Sequence, residues 1–130
     1  FIKNNFLINE SKKINSFLDI VYIQNYGVSF GFLSGLVSYW ILVIVGLLVT
    51  SLIYYLMINS FKRLEKLAYF IIIIGALSNI LDRIINSYVV DFISLHYNNF
   101  YWPAFNLADI YITIGIIMLI ISFFIRSEEQ

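Results

Sequence analysis

Asp91 and Asp109 are the residues of this sequence best suited to chemistry. Each stands in apolar company, in Val89-Val90-Asp91-Phe92-Ile93 and Asn106-Leu107-Ala108-Asp109, and neither has a basic sequence neighbour. Two carboxylates brought close in a low-dielectric pocket cannot both ionise easily, so one holds a proton while the other stays charged. Such a pair can activate a water as general base and protonate a leaving amine as general acid, with no metal, cofactor or covalent intermediate. Further polar groups accompany them. Asn79, Asp82 and Arg83 stand at i, i+3 and i+4 and would share one helix face, and Asn106 and Asp109 repeat the i, i+3 spacing. A blander account competes residue by residue. Asp109 in a first helical turn complements the helix dipole, Asn106 caps that helix, and Arg83 snorkels beside Asp82 as a boundary contact. Asp91 is harder to explain in that way.

Composition describes the elements that must position these groups. Of 130 residues, 61% are hydrophobic and 16 are charged, eight of each sign, and the chain carries 12 Phe and 10 Tyr. Soluble domains carry roughly 25% charged residues, and so apolar a chain cannot cover its surface for water. Lipid is the expected solvent. The neutral balance, with no long basic run, excludes nucleic acid as a partner. With no Cys there is no disulfide, thiolate metal site or cysteine nucleophile, and the lone His96 has no companion for a His-based metal site. His96 reads as an interfacial loop residue, and the aromatic wealth as lipid contact and packing. The single Pro103 and the lack of a Ser/Pro/Gly-rich tract leave no disordered linker, so one integral membrane domain over residues 1–130 is expected.

Val37 to Ile58 is 22 residues without a charge, enough at ~1.5 Å per residue to cross a ~30 Å hydrocarbon core. Leu107 to Ile125 carries one charge, Asp109, near its start, and gives a second span over residues 107–125. Leu67 to Leu81 is short, but continuing through Ile85 gives a third span over residues 67–85, with Asp82 and Arg83 near its boundary. The loop Asn59 to Lys66 carries Lys62, Arg63 and Lys66; with Arg126 it is assigned to the cytoplasm by the positive-inside rule. Residues 1–36 and the connection 86–106 then lie on the outer side. Within them, Phe17 to Ile23 and Val89 to Ile93 read as strands that pair in a small outer sheet, and Gly27, Gly31 and Gly35 break the first pattern. Residues 1–36 contain no secretory signal peptide and begin with Phe, so a preceding segment is expected.

Four motifs then carry a resemblance. Asn25-Tyr26-Gly27-Val28-Ser29-Phe30-Gly31, Asn79-Ile80-Leu81-Asp82-Arg83, Val89-Val90-Asp91-Phe92 and Pro103-Ala104-Phe105-Asn106-Leu107-Ala108-Asp109 resemble, in order, the motifs of lipoprotein signal peptidase, signal peptidase II, over roughly residues 17–125. The resemblance implies an aspartyl endopeptidase of the bacterial inner membrane, its site facing the outer side, cutting signal peptides from prolipoproteins before a diacylglyceryl-modified cysteine. It implies Asp91 and Asp109 as the catalytic dyad and Asn25, Asn79, Arg83 and Asn106 around substrate and dyad, with Asp82 and Gly27 structural. The implied fold is an all-α polytopic helical bundle with a small outer β-cradle, four spans in the family against three here. The family's first helix, with its Asp-Gln-x-x-Lys pattern, would precede residue 1. The implied partners are a lipidated prolipoprotein and membrane lipid; no cofactor is implied, and the oligomeric state is not readable, with a monomer the expectation. Ser78 and Ser87 replace glycines usual in the family; serine preserves close backbone approach unless a position needs φ > 0. Other classes of function are a small carrier using the carboxylates as a proton relay and an assembly subunit with a polar pocket. A relay calls for carboxylates deeper and in more than one span, whereas here they gather at one end.

Overall fold

The computed structural model of the chain describes residues 1–27 and 37–128. Gly31 and Gly35, read as strand breakers, and the end of the first motif lie outside the described residues. The elements in order are α1 (Ile2–Asn5), β1 (Ser11–Lys13), β2 (Leu18–Asn25), α2 (Tyr39–Asn59), α3 (Arg63–Asn86), β3 (Val89–Tyr97), β4 (Phe100–Tyr101) and α4 (Leu107–Glu128). They form two compact units, Phe1–Leu42 with Asp82–Asn106, and Val43–Leu81 with Leu107–Gln130.

The second unit is helical. α2, α3 and α4 are each long and apolar enough to cross a membrane, yet only 17%, 28% and 17% of their most apolar windows is buried within the chain. Their Ile, Leu, Val and Phe surface is therefore turned outward, which an apolar solvent permits and water does not. Among the described residues these three helices are long and apolar enough to span, in keeping with the expected helical, multi-pass membrane protein. α3 begins at Arg63 rather than Leu67, because Glu65 in its first turn complements the helix N-terminus and accepts a hydrogen bond from Ser60 Oγ at 2.6 Å. Small residues set how closely α3 and α4 approach. A Cβ added at Gly75 would lie 2.5 Å from the Ala108 carbonyl oxygen, and one at Gly115 would lie 2.7 Å from that of Ala68. At both places a glycine faces the backbone of the neighbouring helix, the close packing that membrane helices use.

In the first unit the strands form one antiparallel sheet in the order β1-β2-β3-β4. The two expected strands are β2 and β3, and they pair. β3 runs on to Tyr97, which corrects the reading of His96 as a loop residue: Leu18 and Asp19 on β2 supply partners for Leu95 and Ser94, and the ladder therefore continues. Asn98 and Asn99 then turn the chain into β4 as a two-residue hairpin loop, with Asn98 at φ 52, a conformation asparagine tolerates.

The β2–β3 ladder changes register once. Leu18, Asp19 and Ile20 oppose Leu95, Ser94 and Ile93, whereas Ile23, Gln24 and Asn25 oppose Asp91, Val90 and Val89. β2 takes three steps from Ile20 to Ile23 while β3 takes two from Ile93 to Asp91. The extra residue falls at Val21-Tyr22, which are both buried, against strand alternation. A one-residue offset swaps the faces of everything that follows. Asn25 thereby shares a face with Val89 and Asp91; in the earlier register it would oppose Tyr88 and point away from Asp91.

Candidate active site

Asp91, on β3, is 3% exposed. Its Oδ2 accepts a hydrogen bond from Asn25 Nδ2 at 2.9 Å, and its Oδ1 accepts one from Asn106 Nδ2, also at 2.9 Å. Asn25 is the diagonal neighbour of Asp91 across the ladder, and the offset places both on one face. Asn106 stands directly before α4. The two amides grip the carboxylate from opposite oxygens and fix its plane, and removing either leaves a buried acceptor short of a partner, at a cost of about 1–3 kcal/mol.

Around this grip the chain turn is itself held. Asn25 Oδ1 accepts the Gly27 N–H at 2.9 Å, and the Gly27 carbonyl accepts a hydrogen bond from Arg83 Nη2, with Arg83 buried at the end of α3. Asp82 accepts from Asn86 Nδ2 at 3.2 Å and from the Val90 N–H at 3.4 Å, which ties the backbone beside Asp91 to α3. Ser87, whose N–H returns to the Arg83 carbonyl at 2.8 Å, closes α3 at φ 67. This is the left-handed C-cap that favours glycine, so the serine at this family-glycine position falls where φ > 0 is needed.

In the second unit Asn79 Nδ2 donates to Asp109 Oδ1 at 3.0 Å. Asp109 lies in the first turn of α4, and its carbonyl accepts from Thr113 Oγ1 at 2.7 Å. Gly75, one turn before Asn79, meets the backbone at Ala108, one residue before Asp109. Ser78 sits without strain, its Oγ donating to the Ile74 carbonyl at 2.9 Å. The structure thus brings Asn25, Gly27, Asp82, Arg83, Asp91 and Asn106 together in one unit, and Asn79 with Asp109 in the other. Asp19, which no sequence expectation singles out, is buried on β2 and lies 3.2 Å from His96 Nε2. Its only signal was a carboxylate inside an apolar strand. Among the described residues no three His, Cys, Asp or Glu side chains gather to hold a metal ion.

Three membrane-crossing helices and a small sheet that holds a buried carboxylate define a multi-pass membrane protein with a polar site. The structure is similar to that of a bacterial membrane enzyme solved by the in meso method at 2.3 Å, with a TM-score of 0.88 and 29% identity, covering 98% of this chain and 79% of that one. The family model for signal peptidase (SPase) II matches residues 1–125, and the chain belongs to that family. The lipoprotein signal peptidase of Rickettsia akari (strain Hartford) is 44% identical over 110 residues, 83% of this chain and 56% of that protein. That of Vibrio vulnificus (strain CMCP6) is 36% identical over 118 residues, 88% of this chain and 70% of that protein. The chain spans a little over half the length of its Rickettsia relative.

Proposed function

We propose that this chain is an aspartyl endopeptidase of the bacterial inner membrane that removes signal peptides from prolipoproteins before the diacylglyceryl-modified cysteine, its site facing the outer side. The observation that carries this reading is the family match over residues 1–125, which takes in both aspartates and each asparagine bonded to them. In the proposed reaction one carboxylate of the pair Asp91 and Asp109 takes a proton from water as the oxygen attacks the scissile carbonyl. The tetrahedral intermediate then collapses: the C–N bond breaks, and the protonated partner gives its proton to the leaving amine. Asn25, Asn106 and Asn79 orient the carboxylates, Arg83 holds the turn at Gly27, and these side chains also face the substrate backbone. The acyl chains on the substrate cysteine anchor it in the outer leaflet beside the site.

The test is cleavage of a diacylglyceryl-modified precursor by the full chain in lipid nanodiscs. Asp91→Asn and Asp109→Asn each keep the side-chain shape and are expected to lower the rate by about 10²–10⁴-fold, the range of general acid–base catalysis, while the proteins remain folded and inserted. Full cleavage by either variant overturns the assignment of the dyad.

A further inference from the structure

The back face of the β2–β3 ladder carries a polar network that the proposed chemistry does not use. The Tyr22 and Tyr88 hydroxyls lie 3.1 Å apart, Gln24 Nε2 donates to the Tyr22 hydroxyl at 3.0 Å, and the Tyr26 hydroxyl donates to Gln24 Oε1 at 2.8 Å. The Tyr26 and Tyr88 rings meet with centroids 5.4 Å apart, and Lys3 Nζ sits 5.2 Å over the Tyr88 ring. Tyr22 stands at the register offset, and Gln24 and Tyr26 flank Asn25 on either side.

A short ladder has a competing solution. If β2 kept its first register, strand alternation would be unbroken, Tyr22 would oppose Asp91, and Asn25 would oppose Tyr88. In that arrangement Tyr22, Gln24 and Tyr26 would turn to the face of Asp91 and Val89, leaving Tyr88 behind on the other. The Tyr22–Tyr88 bond and the Tyr26–Tyr88 ring contact therefore belong to the offset register alone. We infer that Tyr22, Gln24, Tyr26 and Tyr88 form a register lock, which holds the one-residue offset in β2 and so delivers the Asn25 amide to Asp91. They are positioning residues and act through Asn25. The hydrogen bond to Tyr22 pushes the Tyr88 hydroxyl up to about 12, so Tyr88 keeps its proton at neutral pH.

The inference rests on the peptidase reading only where activity is the readout. The double variant Tyr22→Phe/Tyr88→Phe keeps both rings and removes both hydroxyls. Amide exchange at Gly27, whose N–H is bonded to Asn25 Oδ1, is measured on the full chain in nanodiscs and is expected to speed up by about 10-fold. Cleavage of the lipidated precursor is expected to lose about 10-fold in kcat with KM little changed, and to lose nothing further when the same double change is added to Asn25→Ala. Gln24→Ala, which spares the ring packing, is expected to show the same pattern at smaller size and serves if the double variant fails to fold. Unchanged Gly27 exchange, or an equal loss of kcat with and without Asn25, overturns the lock while leaving the peptidase reading intact. If the unmodified chain cleaves no better than Asp91→Asn, the peptidase reading fails and the exchange measurement decides the lock by itself.

Discussion

Ser87 shows what a single residue contributes at the junction of α3 and β3. Its φ of 67 closes the helix in the left-handed region, where an L side chain costs roughly 1–2 kcal/mol and glycine almost nothing. Ser87→Gly is expected to stabilise the protein by about 1 kcal/mol, less the greater freedom glycine gives the unfolded chain. Ser87→Val, β-branched at the same backbone angle, is expected to destabilise by about 1–2 kcal/mol or more. Unfolding in mixed detergent micelles measures both, and a Gly variant weaker than the parent contradicts the account. Much of the candidate site was legible at this scale, because a carboxylate or an Asn inside an apolar run is expensive and so stands out, as Asp91, Asp109 and Asn79 do. Asp19 and His96 were not legible. Their partnership joins residues 77 apart in the chain, and nothing in the local pattern of either announces the other. The Asn25–Asp91 contact escaped for a related reason, since it depends on one extra residue at Val21-Tyr22 and no spacing rule reports a bulge before the strands are paired.

At the scale of elements, the three long helices α2, α3 and α4 and the two principal strands were readable from apolar runs and β-branched content, whereas α1, β1 and β4 were not. Ser11-Lys12-Lys13 and Phe100-Tyr101 are too short and too unpatterned to read as strands; they become strands because β2 and β3 present ladder groups to pair with. The α3–α4 approach has a sharper consequence. Gly75 lets the Ala108 backbone come close enough that Asn79, one turn on, reaches Asp109 at 3.0 Å. A methyl group at Gly75 would stand 2.5 Å from the Ala108 carbonyl oxygen, and the obstacle is backbone, which cannot swing aside. Gly75→Ala is therefore expected to push the helices apart, to cost about 1–3 kcal/mol by overpacking, and to stretch the Asn79–Asp109 bond. The better helix propensity of alanine offsets this by no more than about 1 kcal/mol. Detergent unfolding reads the loss, and the Asn79 side-chain amide resonance reads the bond. A variant as stable as the parent, with that resonance unmoved, shows the contact to be slack.

For the molecule as a whole, the governing fact is its solvent. Leu48, near the middle of α2, is 66% exposed, and Phe61, in the loop between α2 and α3, is fully exposed. In water the two positions would be equivalent, and a lysine at either would add solubility at little cost. In a bilayer they differ, because Leu48 faces hydrocarbon at the centre of a span while Phe61 lies beyond the span ends, where a charge meets headgroups and water. Replacing Leu48 with Lys puts an ammonium where transfer costs about 3 kcal/mol, a shift of about 100-fold in the insertion equilibrium. Phe61→Lys should change insertion by less than about 2-fold, since it joins Lys62 on that loop and Arg63 and Lys66 in the first turn of α3. Insertion of the two variants into proteoliposomes, scored by protection from alkaline carbonate extraction, separates the cases. Equal protection of Leu48→Lys and Phe61→Lys would remove lipid as the partner of the α2 surface, and with it the physical reason that Asp91 and Asp109 stand out from the rest of the chain.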